Sequence, residues 1–149
     1  MSVPRRPGGH GRWLWGLLGL FLVRVAAQPL ALIGVAPWLP PFDAWQSGAL
    51  SYPTLLAAQL GLAAAMAWAA AGVSAGRTRP RPTAGRRLAG LAALYGTVMT
   101  TRLVLGATLA RGHWWLDAPL PTLFHLVLTT WLAVYGHYHL RGDADTAPR

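Results

Sequence analysis

The chain has 149 residues, 54% of them hydrophobic and only 11% charged; a soluble domain is normally about a quarter charged, so this composition indicates a membrane protein. The net charge of +9 comes from 13 Arg and no Lys against four Asp and no Glu, and because the Arg cluster between apolar segments they fit an anionic membrane surface and exclude nucleic acid as the expected partner. With no Cys, disulfides, thiolate metal sites and Cys nucleophiles are excluded.

Residues 1–12 are polar, carry Arg5, Arg6 and Arg12, and read as a disordered basic tail. The first apolar segment, 13–36, would be ~36 Å long as a helix, enough to span a bilayer with some tilt. Arg24, Gln28 and Pro29 interrupt it. A secretory signal is the rival reading, since Arg5 and Arg6 precede an apolar core and Val25-Ala26-Ala27 resembles a cleavage site. The apolar run continues to Ala36 and opens on Trp13 and Trp15, which favours a span.

Residues 37–52 carry three Pro, two Trp, Tyr52 and Asp43 but no Arg, as a connection at the headgroup level would. The second span is 53–75, where Ala57, Gly61, Ala65 and Ala69 form a small-residue stripe. Residues 76–87 hold five Arg and two Pro and cannot sit in hydrocarbon. The third span, 88–110, has a second stripe at Ala89, Ala93, Thr97 and Thr101. After RGHWWLDAPLP the fourth span runs 122–140, and 141–149 is a polar tail expected to be disordered.

The expected fold is therefore all-α: an integral membrane bundle of four transmembrane helices occupying one domain, 13–140. Arg is abundant in the N-terminal tail and middle connection and nearly absent from the other two. By the positive-inside rule both termini are cytoplasmic, in a multi-pass bacterial inner-membrane protein. Missing Lys beside abundant Arg, Ala, Gly and Pro associates the chain with GC-rich bacterial genomes.

Ionisable groups in hydrocarbon need a reason. From the outer end of each span, Gln28, Gln59, Arg102 and His125 lie ~12, ~9, ~12 and ~5 Å deep. Arg24 lies one turn below Gln28 on the same face. Arg102, His125, Gln59, Gln28 and Arg24 are thus the candidate ligand-binding residues, in a polar layer roofed by Trp38, Trp45, Trp114 and Trp115. The competing reading is mutual satisfaction inside the bundle, with Gln28 or Gln59 capping Arg102 and Asp43 or Asp117 reaching in as counter-ion. Arg102 snorkelling outward to lipid phosphate is a third.

No Asp or Glu lies within a span, which favours an anion or carbonyl headgroup over a cation channel or carboxylate proton pump. A metal site is not expected: His113 and Asp117 sit beside Pro, and His137 and His139 are two apart and do not share a helix face. Only His125 is well inside a span, against bis-histidine haem. Neither Ser47, Ser51 and Ser74 nor any glycine pattern forms a catalytic or phosphate motif.

The runs LPPFDAWQSGALSYPTLLAAQL, TRLVLG and LFHLVLTTWL resemble, in layout over about 13–140, an uncharacterised family of small bacterial four-span membrane proteins. That resemblance implies a fold and a location and carries no functional residues. Two functions are expected from the residues: a non-enzymatic accessory or structural subunit, docking another membrane protein or a second copy through its small-residue faces, or binding of a quinone or anionic lipid headgroup in the outer polar layer, linked to electron transfer. The cofactor is left open.

Overall fold

A computed structural model describes residues 9–46 and 48–141; of the tails expected at 1–12 and 141–149, residues 1–8 and 142–149 lie outside the described residues, as does Ser47, while Arg141 ends the last helix. The fold is all-α, with four long helices: α1 (Gly9–Leu32), α2 (Tyr52–Ser74), α3 (Pro82–Thr108) and α4 (Pro119–Arg141). One 3₁₀ turn, Phe42–Trp45, lies in the first connection.

The boundaries differ from the expected spans for local reasons. Gly9–Arg12, expected in the tail, form the first turn of α1. Its other end comes at Leu32 rather than 36, because Gly34 adopts φ +69°, the left-handed geometry that stops a helix and that glycine accepts without a Cβ clash. The third helix starts six residues early, at Pro82, so Arg86 and Arg87 are helical; proline belongs at a helix start because the missing N–H has no partner there anyway. Pro29 stays inside α1, as membrane helices tolerate.

α1, α2 and α3 are each long and apolar enough to cross a membrane. α4 is not shown to be, since Thr129, Thr130, His125 and the run His137-Tyr138-His139 lower its hydropathy. Helix α4 packs against α1 and α3, and α1 against α2, while α2 and α3 do not pack on each other among the described residues. The order across the fold is α2, α1, α4, α3. We call the end bearing the 76–81 connection the inner end.

The first half of the core joins Leu14, Leu18, Phe21 and Val25 of α1 to Ala63, Met66 and Ala70 of α2 and Trp131 of α4. Gly11 abuts Ser74 at the inner end, and Trp15 Nε1 donates to Ser74 Oγ at 3.1 Å. Trp131 Nε1 donates to the Leu14 carbonyl at 3.2 Å, tying α4 to α1. Trp131→Phe keeps one aromatic ring but removes this bond and the pyrrole part of the buried indole. The expected loss is about 2 kcal/mol, from the hydrogen bond and the small cavity together, read as a drop in the melting temperature of the detergent-solubilised protein; an unchanged melt would show both to be dispensable.

Between apolar helices lipid offers no hydrophobic penalty, so close approach of small residues must hold the contact. α3 presents Gly85, Ala92, Met99 and Gly106 as buried positions seven apart, a repeat that keeps one face toward its neighbour. A Cβ on Gly85 would lie 3.0 Å from the Gly136 carbonyl, and one on Gly136 3.1 Å from the Ala89 nitrogen. This seam is not the stripe expected on α3. Ala93, Thr97 and Thr101 are exposed, as are Ala57, Gly61 and Ala65 on α2. A strict spacing of four rotates ~40° per step on a helix of 3.6 residues per turn, so only Ala69 and Ala89 of the two stripes reach an interface.

The burial pattern is inverted relative to a soluble protein. Buried polar residues include Arg24, Gln28, Gln59, Arg102 and His139, while Leu20, Val23, Leu94, Val104 and Trp68 are exposed. Apolar outside and polar inside is the arrangement hydrocarbon solvent demands.

Candidate functional site

Each expected site residue can be followed from its helix to its partner. Arg24 and Gln28, one turn apart on α1, converge on one atom: Arg24 Nη2 and Gln28 Nε2 each donate to the Trp45 carbonyl oxygen at 3.2 Å. A carbonyl has two lone pairs, so both are used. Trp45 is itself buried, its indole Nε1 donating to the Pro40 carbonyl at 3.0 Å. The first connection therefore folds inward onto α1 through Trp45. Arg24 also lies over the Phe124 ring, 5.4 Å from its centroid.

Arg102 makes the corresponding contact with the other outer connection. Its Nε and Nη2 donate to the Trp115 carbonyl at 2.9 and 2.6 Å, and its guanidinium sits 4.4 Å from the centre of the Trp115 ring. Fork-shaped donors and a planar cation suit Arg for both contacts. His125 Nδ1 is hydrogen-bonded to the Tyr95 hydroxyl at 2.5 Å, with the rings edge to face. Tyr95 precedes Arg102 by two turns on α3, so the same face supplies both.

The structure thus sorts four of the five residues into three groups: Arg24 with Gln28 on Trp45, Arg102 on Trp115, and His125 on Tyr95. Gln59 stands apart. It is 4% exposed, and neither amide atom has a hydrogen-bond partner among the described residues; Arg24 Nε and Gln28 Oε1 are likewise buried and without a partner among them. From the Gly11–Ser74 contact, α1 rises ~20 Å to Arg24 and ~26 Å to Gln28, and Gln59 lies ~22 Å back along α2 in the same direction. Gln59 is level with the Arg24–Gln28 pair.

Neither aspartate is the counter-ion that mutual satisfaction called for. Asp43 is exposed, and Asp117 Oδ2 accepts from the Gly112 backbone nitrogen at 2.7 Å. Backbone carbonyls serve instead, and Gln28 is spent on Trp45 rather than on Arg102. Of the four roofing tryptophans, Trp38 and Trp114 are exposed, Trp45 is buried and Trp115 is half-buried. His113 Nδ1 accepts from the Trp115 and Leu116 nitrogens, His137 pairs with His10, and His139 accepts from the Arg81 nitrogen. These histidines are tied to three different parts of the chain.

Sequence reading missed Tyr95, Phe124 and the two carbonyls. A tyrosine seven residues before an intramembrane arginine was a usable signal for Tyr95; nothing in side-chain patterns announces a carbonyl. No protein-family model, curated protein or solved structure matches the chain.

Proposed function

We propose that the chain is a non-enzymatic integral membrane protein of four spans, with both termini on the cytoplasmic side of a bacterial inner membrane, acting as an accessory or structural subunit. The observation that carries the reading is the inverted burial, with Arg24, Gln28 and Arg102 enclosed beneath apolar outer faces. Three helices are apolar enough to span. α4 joins them because its 23 residues reach ~34 Å between α1 and α3. The Arg count gives the orientation. Most polar side chains of the outer layer bond to the protein's own loops, which favours a structural role. The exposed Ala57–Gly61–Ala65 face of α2 is where another membrane protein or a second copy would dock.

Reporter fusions test the topology. Fusions at both termini and after Ala84 are expected to read as cytoplasmic, and those near Asp43 and His113 as periplasmic. A C-terminal fusion on the opposite side from the middle connection would leave three spans and sink the four-span reading.

One observation favours a second function, binding of a quinone or anionic headgroup by Arg102, His125, Gln59, Gln28 and Arg24: the buried amide of Gln59, level with Arg24 and Gln28 and without a hydrogen-bond partner among the described residues. Gln59→Leu separates the two. An amide that only fills space is replaced at little cost or with a gain in stability. If it holds a ligand, a quinone or lipid found by mass spectrometry in the wild type should be lost from the still-folded variant.

A further inference from the structure

At the inner end, opposite the polar layer, α2 and α3 stand apart with the last turns of α4 behind them. Between them is a cleft of about 1010 Å³. Arg77, Arg79, Arg81 and Arg87 line it, and the described lining residues include no carboxylate. The charged connection is not a loose loop. Past Gly76, at φ +65°, the nitrogens of Arg77 and Thr78 donate to the Gly72 carbonyl at 2.9 and 3.2 Å. The Tyr138 hydroxyl donates to the Thr78 carbonyl at 2.6 Å, and the Arg81 nitrogen donates to His139 Nδ1 at 3.1 Å. The backbone is thus tied to α2 at one end and to α4 twice, which fixes where the Arg77, Arg79 and Arg81 side chains begin.

Four like charges around one space repel, and an anion between them relieves that repulsion. Guanidinium groups match phosphate oxygens in forked pairs. The deeper wall is of another kind. Trp68 and Leu88 also line the cleft, each six residues (~9 Å) further along its helix from the loop. Trp68 is 79% exposed, a placement suited to the boundary between headgroups and acyl chains. A cationic rim above an apolar wall fits an amphiphile better than a free ion.

We propose that this cleft binds the phosphate headgroup of an anionic phospholipid, with the arginines on the phosphate and Trp68 and Leu88 against the glycerol and first methylenes. The proposal rests on membrane embedding, which fractionation with membranes and the need for detergent establish separately from lipid choice.

The test is native mass spectrometry of the full chain in mild detergent, titrated with phosphatidylglycerol or with phosphatidylcholine of the same acyl chains. The wild type is expected to retain one phosphatidylglycerol roughly tenfold better than the zwitterionic lipid. The variant R77Q/R79Q/R81Q should lose that preference, and the charge-matched R12Q/R86Q/R111Q should keep it. Should the triple variant not fold, Arg79→Gln alone, which touches no backbone tether, is expected to weaken retention several-fold. Phosphatidylglycerol with brominated chains should quench Trp68, as judged against Trp68→Phe. Equal retention of both lipids by the wild type, or equal loss in both triple variants, would overturn the proposal. So would displacement of the lipid by equimolar inorganic phosphate, which would make the ligand a free phosphate.

Discussion

Arg102→Ala is expected to destabilise the protein by about 2–4 kcal/mol, combining loss of a charge-assisted hydrogen-bond pair with loss of a cation–π contact. The residue is 3% exposed, and its guanidinium is the donor to the Trp115 carbonyl through two nitrogens. Removing it leaves a cavity in α3 and frees the connection that carries Trp114 and Trp115. Arg102→Lys keeps the charge without the planar fork, and is expected to recover less than half of the loss. Thermal unfolding in detergent followed by tryptophan emission measures both. An Arg102→Ala melt within a degree of wild type would mean that the outer connection is ordered by something else.

Gly106→Ala is the second large effect, and it strikes the same connection from the backbone side. A Cβ there would fall well inside contact distance of the Leu116 carbonyl. Backbone cannot swing aside as a flexible side chain can, so the expected cost is about 3 kcal/mol, the upper part of the range for overpacking. Gly90→Ala on the same helix meets nothing within 4 Å; with better helix propensity it should be neutral or stabilising by up to about 1 kcal/mol. Because Arg102→Ala and Gly106→Ala release one segment, their double variant should lose less than the sum. Strict additivity would show that the guanidinium and the helix–loop contact act independently.

Helix number and order are readable from the chain because apolar runs of about twenty residues between Arg- and Pro-rich connections have few alternative structures. The ends are less readable. Gly34 stops α1 inside an apolar run that continues to Ala36, and Pro82 starts α3 inside a segment whose arginines argue against a buried helix. The candidate layer is half readable. Position along a helix follows from counting, so Gln59 stands level with Arg24 and Gln28, and these three and Arg102 are buried. What each one meets depends on how the connections fold back, and the partners of the two arginines are main-chain oxygens that any residue could have supplied. The inner cleft escapes sequence reading for the same reason: five arginines in twelve residues look like a charged loop until Tyr138 and His139 are seen to hold it.

The arginine clamps have a bearing on how the protein is made. Arg24 is answered by Trp45 in the connection that follows its own helix, and Arg102 by Trp115 in the connection that follows its own. For its hydrogen bonds, neither guanidinium waits for the other half of the chain; only the Phe124 ring reaches Arg24 later. On the four-span reading, a charge at mid-helix costs a nascent segment roughly 2.5–3.5 kcal/mol to insert, and each helical hairpin brings the means to offset that cost within a few dozen residues of translation. The α1–α2 pair can therefore settle in the bilayer before α3 has left the ribosome. Trp131 meeting Leu14 then becomes a late docking step between two finished halves.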